Sequence, residues 1–90
     1  MVIFVVTKAS ASLRGRLTRW LFQLKPGVYV GTLSTRVRTK LWKRTCESIR
    51  GGWAVMLFPA RNEQGFDLLT HGIGPVEFED IEGLWVTKRG

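Results

Sequence analysis

Val2-Ile3-Phe4-Val5-Val6-Thr7 is β-branched or aromatic at every position and carries no charge. Polar alternation is missing, so the segment reads as a strand with apolar surroundings on both faces. Trp53-Ala54-Val55-Met56-Leu57-Phe58 has the same character farther along the chain. In the first run Val2, Phe4 and Val6 face one way and Ile3 and Val5 the other. In the second, Ala54, Met56 and Phe58 oppose Trp53, Val55 and Leu57. A sheet built on these two strands has no polar face to turn to water.

Between the strands the apolar spacing changes from two to the helical period. Leu13, Leu17, Trp20, Leu21 and Leu24 form one narrow stripe, with Ser10 or Ser12 as the cap and Pro26-Gly27 as the stop. Val28-Tyr29-Val30 is a short strand closed by Gly31, with the residues around Phe22 to Leu24 as its hairpin partner. Ser34 caps a second helix that runs to about Arg50 and ends at Gly51-Gly52. Its buried side is Val37, Leu41, Trp42, Thr45, Cys46 and Ile49. Asn62 to Gly65 is a turn and Phe66 to His71 the returning strand of a hairpin. Gly72 to Gly83 is irregular and acidic, and Leu84 to Thr87 reads as a last short strand.

This order predicts a single α+β domain over residues 1–90, a ferredoxin-like sandwich with two helices on one face of a mostly antiparallel sheet. The second, apolar face of that sheet marks an interaction surface, and a sheet-to-sheet homodimer is the simplest way to cover it.

The charge is distributed as unevenly as the hydrophobicity. Residues 1–46 hold ten Lys or Arg and no acid, whereas residues 47–90 hold seven acids and four bases, for a net charge of +7. A positive field of this kind concentrates polyanions, nucleic acid first. Arg36, Lys40 and Lys43 line the outer side of the second helix, and Arg38 falls within its apolar range. Cations in the first turns of a helix oppose its dipole at roughly 0.3–1 kcal/mol each, a sign that a bound anion reverses. On the first helix Arg14 and Arg16 flank the stripe and Arg19 points away from it. Gly15 between them costs the helix roughly 1 kcal/mol relative to Ala. Two explanations stay open: close packing against a neighbour, or a surface without bulk that lets a phosphate backbone approach two guanidinium forks.

The catalytic inventory is thin. One Cys and one His make no zinc site, and there is no P-loop, no dinucleotide fingerprint and no nucleophile elbow. Cys46 reads as a core residue and His71 as a strand-end histidine. A single cysteine points to a reducing compartment, and the longest apolar run, Val2 to Val6, is too short to span a bilayer. The expectation is a cytoplasmic protein with no membrane partner.

Leu13-Arg14-Gly15-Arg16-Leu17, Trp20-Leu21 and Gly27-Val28-Tyr29-Val30-Gly31 together resemble CRISPR-associated protein 2 of the type I-E systems. Ser34, Arg38, Leu41-Trp42, Val55-Met56, Gly65-Phe66 and Asp80-Ile81-Glu82-Gly83-Leu84 extend the resemblance over nearly the whole chain. It implies a homodimeric scaffold of antiviral defence that binds double-stranded DNA. It also implies assembly with the CRISPR integrase subunit to capture and insert new spacers. Arg14 and Arg16 sit where family members contact the duplex backbone. Residues 76–90, with Glu79, Asp80, Leu84, Trp85 and Val86, match the segment that docks on the integrase, an arrangement of the β-augmentation kind.

Two departures stand out. Family members described as metal-dependent endonucleases carry an acid just after the first strand, where this chain has Lys8, which would repel a divalent ion. Gly74-Pro75 replaces an arginine pair found in some relatives. The leading expectation is therefore a scaffold that needs no cofactor for binding. The alternative is an endonuclease acting on single-stranded RNA or double-stranded DNA, which would require Mg2+. A third reading, an RNA-binding module, expects base-stacking aromatics on the sheet.

Overall fold

A computed structural model describes residues 1–72 of the chain. The acidic stretch, the last strand and the docking residues Glu79, Asp80, Leu84, Trp85 and Val86 lie outside the described residues. The described elements are β1 (Val2–Val6), α1 (Ala11–Trp20), β2 (Phe22–Lys25), β3 (Val28–Gly31), α2 (Thr35–Ser48), β4 (Ala54–Pro59) and β5 (Phe66–His71). The strands form one five-stranded antiparallel sheet in the order β2-β3-β1-β4-β5. Each helix thus carries the chain over an intervening strand, an α+β architecture compatible with a ferredoxin-like sandwich.

Register fixes the two faces. Phe4 lies opposite Tyr29 on β3 and Met56 on β4, while Val6 lies opposite Ala54. These residues, with Val2, form the core together with Leu13, Leu17 and Leu21 from the first crossover and Leu41 and Ile49 from the second. Both helices therefore cover the same face. The Trp42 ring meets Phe4 at 6.2 Å between centroids, in the tilted arrangement aromatic pairs favour. Thr45 is fully buried in α2, and its hydroxyl donates to the Leu41 carbonyl at 2.8 Å. The other face carries Ile3, Val5, Val28, Val30, Leu57 and Leu68, all half-buried, and the buried Val55.

Helix limits follow local chemistry. The hydroxyl oxygens of Ser10 and Ser34 accept from the N–H groups of Leu13 and Val37, so Ser10 is the first cap and Ser34 the second. The apolar stripe of α1 stops earlier than its spacing implies. Leu21 is already extended, and Leu24 belongs to β2, where it is 62% exposed. The β2–β3 hairpin turns through Gly27, whose φ of +85° and approach to the Val6 carbonyl exclude a side chain. The second helix ends at Ser48, two residues short of Arg50.

Three backbone segments converge where β1 ends. Thr7 N–H donates to the Trp53 carbonyl at 2.9 Å, and Trp53 N–H donates to the Thr7 hydroxyl at 2.8 Å. Lys8 then turns with φ +55°, a conformation that costs a non-glycine residue about 1–3 kcal/mol. A Cβ on Gly52 would overlap the Thr7 carbonyl oxygen. Gly52→Ala is expected to destabilise the fold by about 1–3 kcal/mol, the range for overpacked sites, read as a lower urea midpoint at unchanged m. The Tyr29 hydroxyl is buried without a hydrogen-bond partner among the described residues. Tyr29→Phe should therefore leave the midpoint unchanged or raise it, and a clear fall would reveal a partner for that hydroxyl.

Candidate nucleic-acid interface

The outer surface of the helical layer carries the basic half of the chain. At about 100° per residue, Gly15 falls opposite the buried Leu13 and Leu17, with Arg14 and Arg16 on either side of it. Arg14, Gly15, Arg16 and Arg19 are all exposed. Nothing lies within 4 Å of a Cβ built on Gly15, so within the described chain its smallness serves no packing.

Two hollows flank α1. Arg14 and Gly15 border a trough toward the β2–β3 hairpin, with Lys8, Thr18, Gln23 and Tyr29. Arg16 and Trp20 border the groove between α1 and α2, whose other wall is Val37, Lys40, Leu41, Lys43, Arg44 and Glu47. Ser12, Thr18 and Arg19 complete the outward face of α1. Among the described residues, none of these cations forms an ion pair. Four positive groups in the groove face one carboxylate, so its field is that of a cation-lined channel.

The residues picked out from sequence therefore separate into groups. Arg16, Lys40 and Lys43 meet in one groove, Arg14 stands with Lys8 on the other side of α1, and Arg19 faces outward. Arg36 is exposed in the first turn of α2. Arg38 has a different use: its guanidinium carbon lies 4.3 Å from the centre of the Phe58 ring, a cation–π contact that ties α2 to β4. This accounts for a cation inside the apolar range of the helix without any anion. Trp20 and Arg44 belong to the groove but were hidden in sequence, the first by its place in an apolar stripe.

The implied divalent cation does not fit the described residues. Lys8 occupies the end of β1, and no three His, Cys, Asp or Glu among residues 1–72 stand together. Glu47 lies on α2, Glu63 in the hairpin turn and Asp67 on β5. Burial and then the neighbouring Glu47 charge push the Cys46 thiol upward, away from the thiolate a nucleophile needs. On the face away from the helices the central strands β1, β3 and β4 turn the aliphatic Ile3, Val5, Val28, Val30, Val55 and Leu57, and the aromatics of that face stand on the edge strands, Phe22 in register with Val30 and Phe66 with Pro59. Among the described residues no helix is long and apolar enough to cross a membrane.

The family model described as CRISPR-associated protein (Cas_Cas2CT1978) matches residues 1–86. The chain belongs to this CRISPR-associated family. Its role is CRISPR-related, and the match covers both the basic helical layer and the apolar sheet of a Cas2-like protein.

The contrast between Arg38 and its neighbour gives a test. Arg38→Ala should destabilise the fold by about 0.5–2 kcal/mol, because the stacking on Phe58 disappears with the guanidinium. Arg36→Ala, which removes a cation from the first turn of α2 and no ring contact, should raise the urea midpoint slightly, by about 0.3–1 kcal/mol of stability. Equal effects would mean that the Phe58 contact contributes nothing.

Proposed function

We propose that the chain is the non-catalytic scaffold subunit of type I-E spacer acquisition, binding double-stranded DNA across its helical layer as a homodimer. In this reading it assembles in the cytoplasm with the CRISPR integrase subunit, through residues 76–90. The observation that carries the DNA reading is the surface around Gly15, bare of side-chain bulk and bracketed by Arg14 and Arg16, which have no ion-pair partner among the described residues. A phosphate backbone crossing Gly15 would have a guanidinium fork on each side. Arg19, Lys40 and Lys43 extend the positive surface, and Arg36 continues it at the start of α2. Such contacts are with phosphates and carry no base preference, which suits a protein that must accept fragments of any sequence.

The homodimer is supported by the aliphatic face of the sheet. Its central strands place Ile3, Val5, Val30 and Leu57 side by side, a surface that a second copy would complement by two-fold symmetry. DNA binding of this kind draws on fixed cations and requires no metal.

The test is fluorescence anisotropy with a short DNA duplex across a salt series, with magnesium and with EDTA, followed by inspection of the strands. Arg14→Ala combined with Arg16→Ala should weaken binding and reduce the log–log salt slope by about 2, near 0.9 for each phosphate that is no longer neutralised. Sedimentation should show the same dimer before and after substitution. Unchanged affinity and slope would remove α1 from the DNA surface. Strand cleavage only in magnesium would overturn the non-catalytic assignment.

A further inference from the structure

Trp20 is 53% exposed at the end of α1, although its position in the stripe marks it for the core. It stands in the open groove between the helices, with Val37 and Leu41 on the opposite wall. Arg16 rises beside it on α1, and Lys40, Lys43 and Arg44 face it from α2. An indole left in water among cations that form no ion pair within the described residues is poorly explained by folding. It is the composition of a stacking platform inside an electrostatic funnel.

We propose that this groove binds a single-stranded nucleic-acid segment, with one base stacked on Trp20 and the flanking phosphates on Arg16, Lys40, Lys43 and Arg44. The inference rests on the reading of the helical layer as a nucleic-acid surface and narrows its ligand. A duplex satisfies the cations but keeps its bases stacked on each other, so the indole gains nothing from it. An unpaired nucleotide satisfies both, since every base has a π-face and stacking needs no particular sequence. An acidic peptide would meet the charges and leave the indole without a flat partner. The groove therefore distinguishes frayed or single-stranded ends from the duplex that crosses Gly15.

The experiment uses the full chain and three fluorescein-labelled DNA probes: a short single strand, the same strand with abasic sites, and a duplex. Trp20→Ala should lower affinity for the intact single strand about tenfold, in line with the removal of one stacked base. Trp20→Phe should retain most of that affinity. Duplex affinity should be unchanged by either substitution, and the abasic strand should bind the unsubstituted protein as weakly as the intact strand binds Trp20→Ala. Unchanged single-strand affinity in Trp20→Ala, or a loss on Trp20→Ala that is as large for the abasic strand as for the intact one, would overturn the proposal. Displacement of the intact strand by polyglutamate, as effective as displacement by unlabelled single strand, would assign the groove to an acidic partner and overturn it too. The duplex probe tests the scaffold reading separately: no duplex binding with base-dependent single-strand binding intact defeats that reading and leaves the groove.

Discussion

Phe4 holds the position on which the rest of the fold depends. It is fully buried on the central strand, between Tyr29 and Met56 in register, with Trp42 of α2 against its ring. Because β1 is paired along both edges, its backbone groups are satisfied within the sheet, and neither crossover can enter between strands. Both helices must lie over the sheet, and the alternation around Phe4 places them on the same side. A large ring at the centre of that face, where burial is worth about 1.5–3 kcal/mol, makes the choice of face unambiguous. A one-residue slip of β1 would present Ile3 and Val5 to the helices and turn Phe4 away.

That single choice divides the remaining chemistry. The helices place their apolar residues, Leu13, Leu17, Leu41 and Ile49, on the covered face. Their outward sides are then free to carry charge, and they carry one sign almost exclusively. The opposite sheet face keeps the aliphatic residues that β1 and β4 must present on alternate positions. A basic layer and an aliphatic face thus stand back to back on opposite sides of one sheet.

Much of this was legible in the chain. The unbroken apolar runs marked both central strands, Ser34 was readable as a cap, the first cap was narrowed to Ser10 or Ser12, and Asn62 to Gly65 read as a turn, because each depends on interactions within a few residues. The end of α1 was legible only in part. The helical stripe ran on through Trp20 and Leu21 to Leu24, while Phe22 to Leu24 also read as the hairpin partner of Val28 to Val30, and it is the pairing with β3 across Pro26-Gly27 that makes Phe22–Lys25 a strand. Trp20 was hidden for the same reason. Arg38 looked like a misplaced cation because Phe58, twenty residues on, approaches it only through the sheet. The opening at Gly15 likewise required the packed layer, since sequence spacing cannot separate a close approach from empty space. The helix-terminal capping was local; the roles of the charges were not.

Arg38 also bears on how the other cations should be understood. Where the fold has a use for a cation, the guanidinium is stacked on a ring and half-buried. Arg14, Arg16, Arg19, Lys40 and Lys43 show no comparable engagement: they are exposed and without carboxylate partners among the described residues. Like charges held on adjacent helices repel, and no acid in the first turn of either helix offsets them against the dipole. Alternation with Glu, the usual way to keep a helix face soluble and support it by i,i+4 pairs, would have removed both costs. The chain has acids to place, yet Glu47 is the only one in either helix. A stable monomer gains nothing from that arrangement, whereas a surface that must meet a polyanion gains counterion release from every unpaired cation it brings. The imbalance is therefore the part of this sequence that folding does not explain, and it lies on the layer that the sheet leaves open to a ligand.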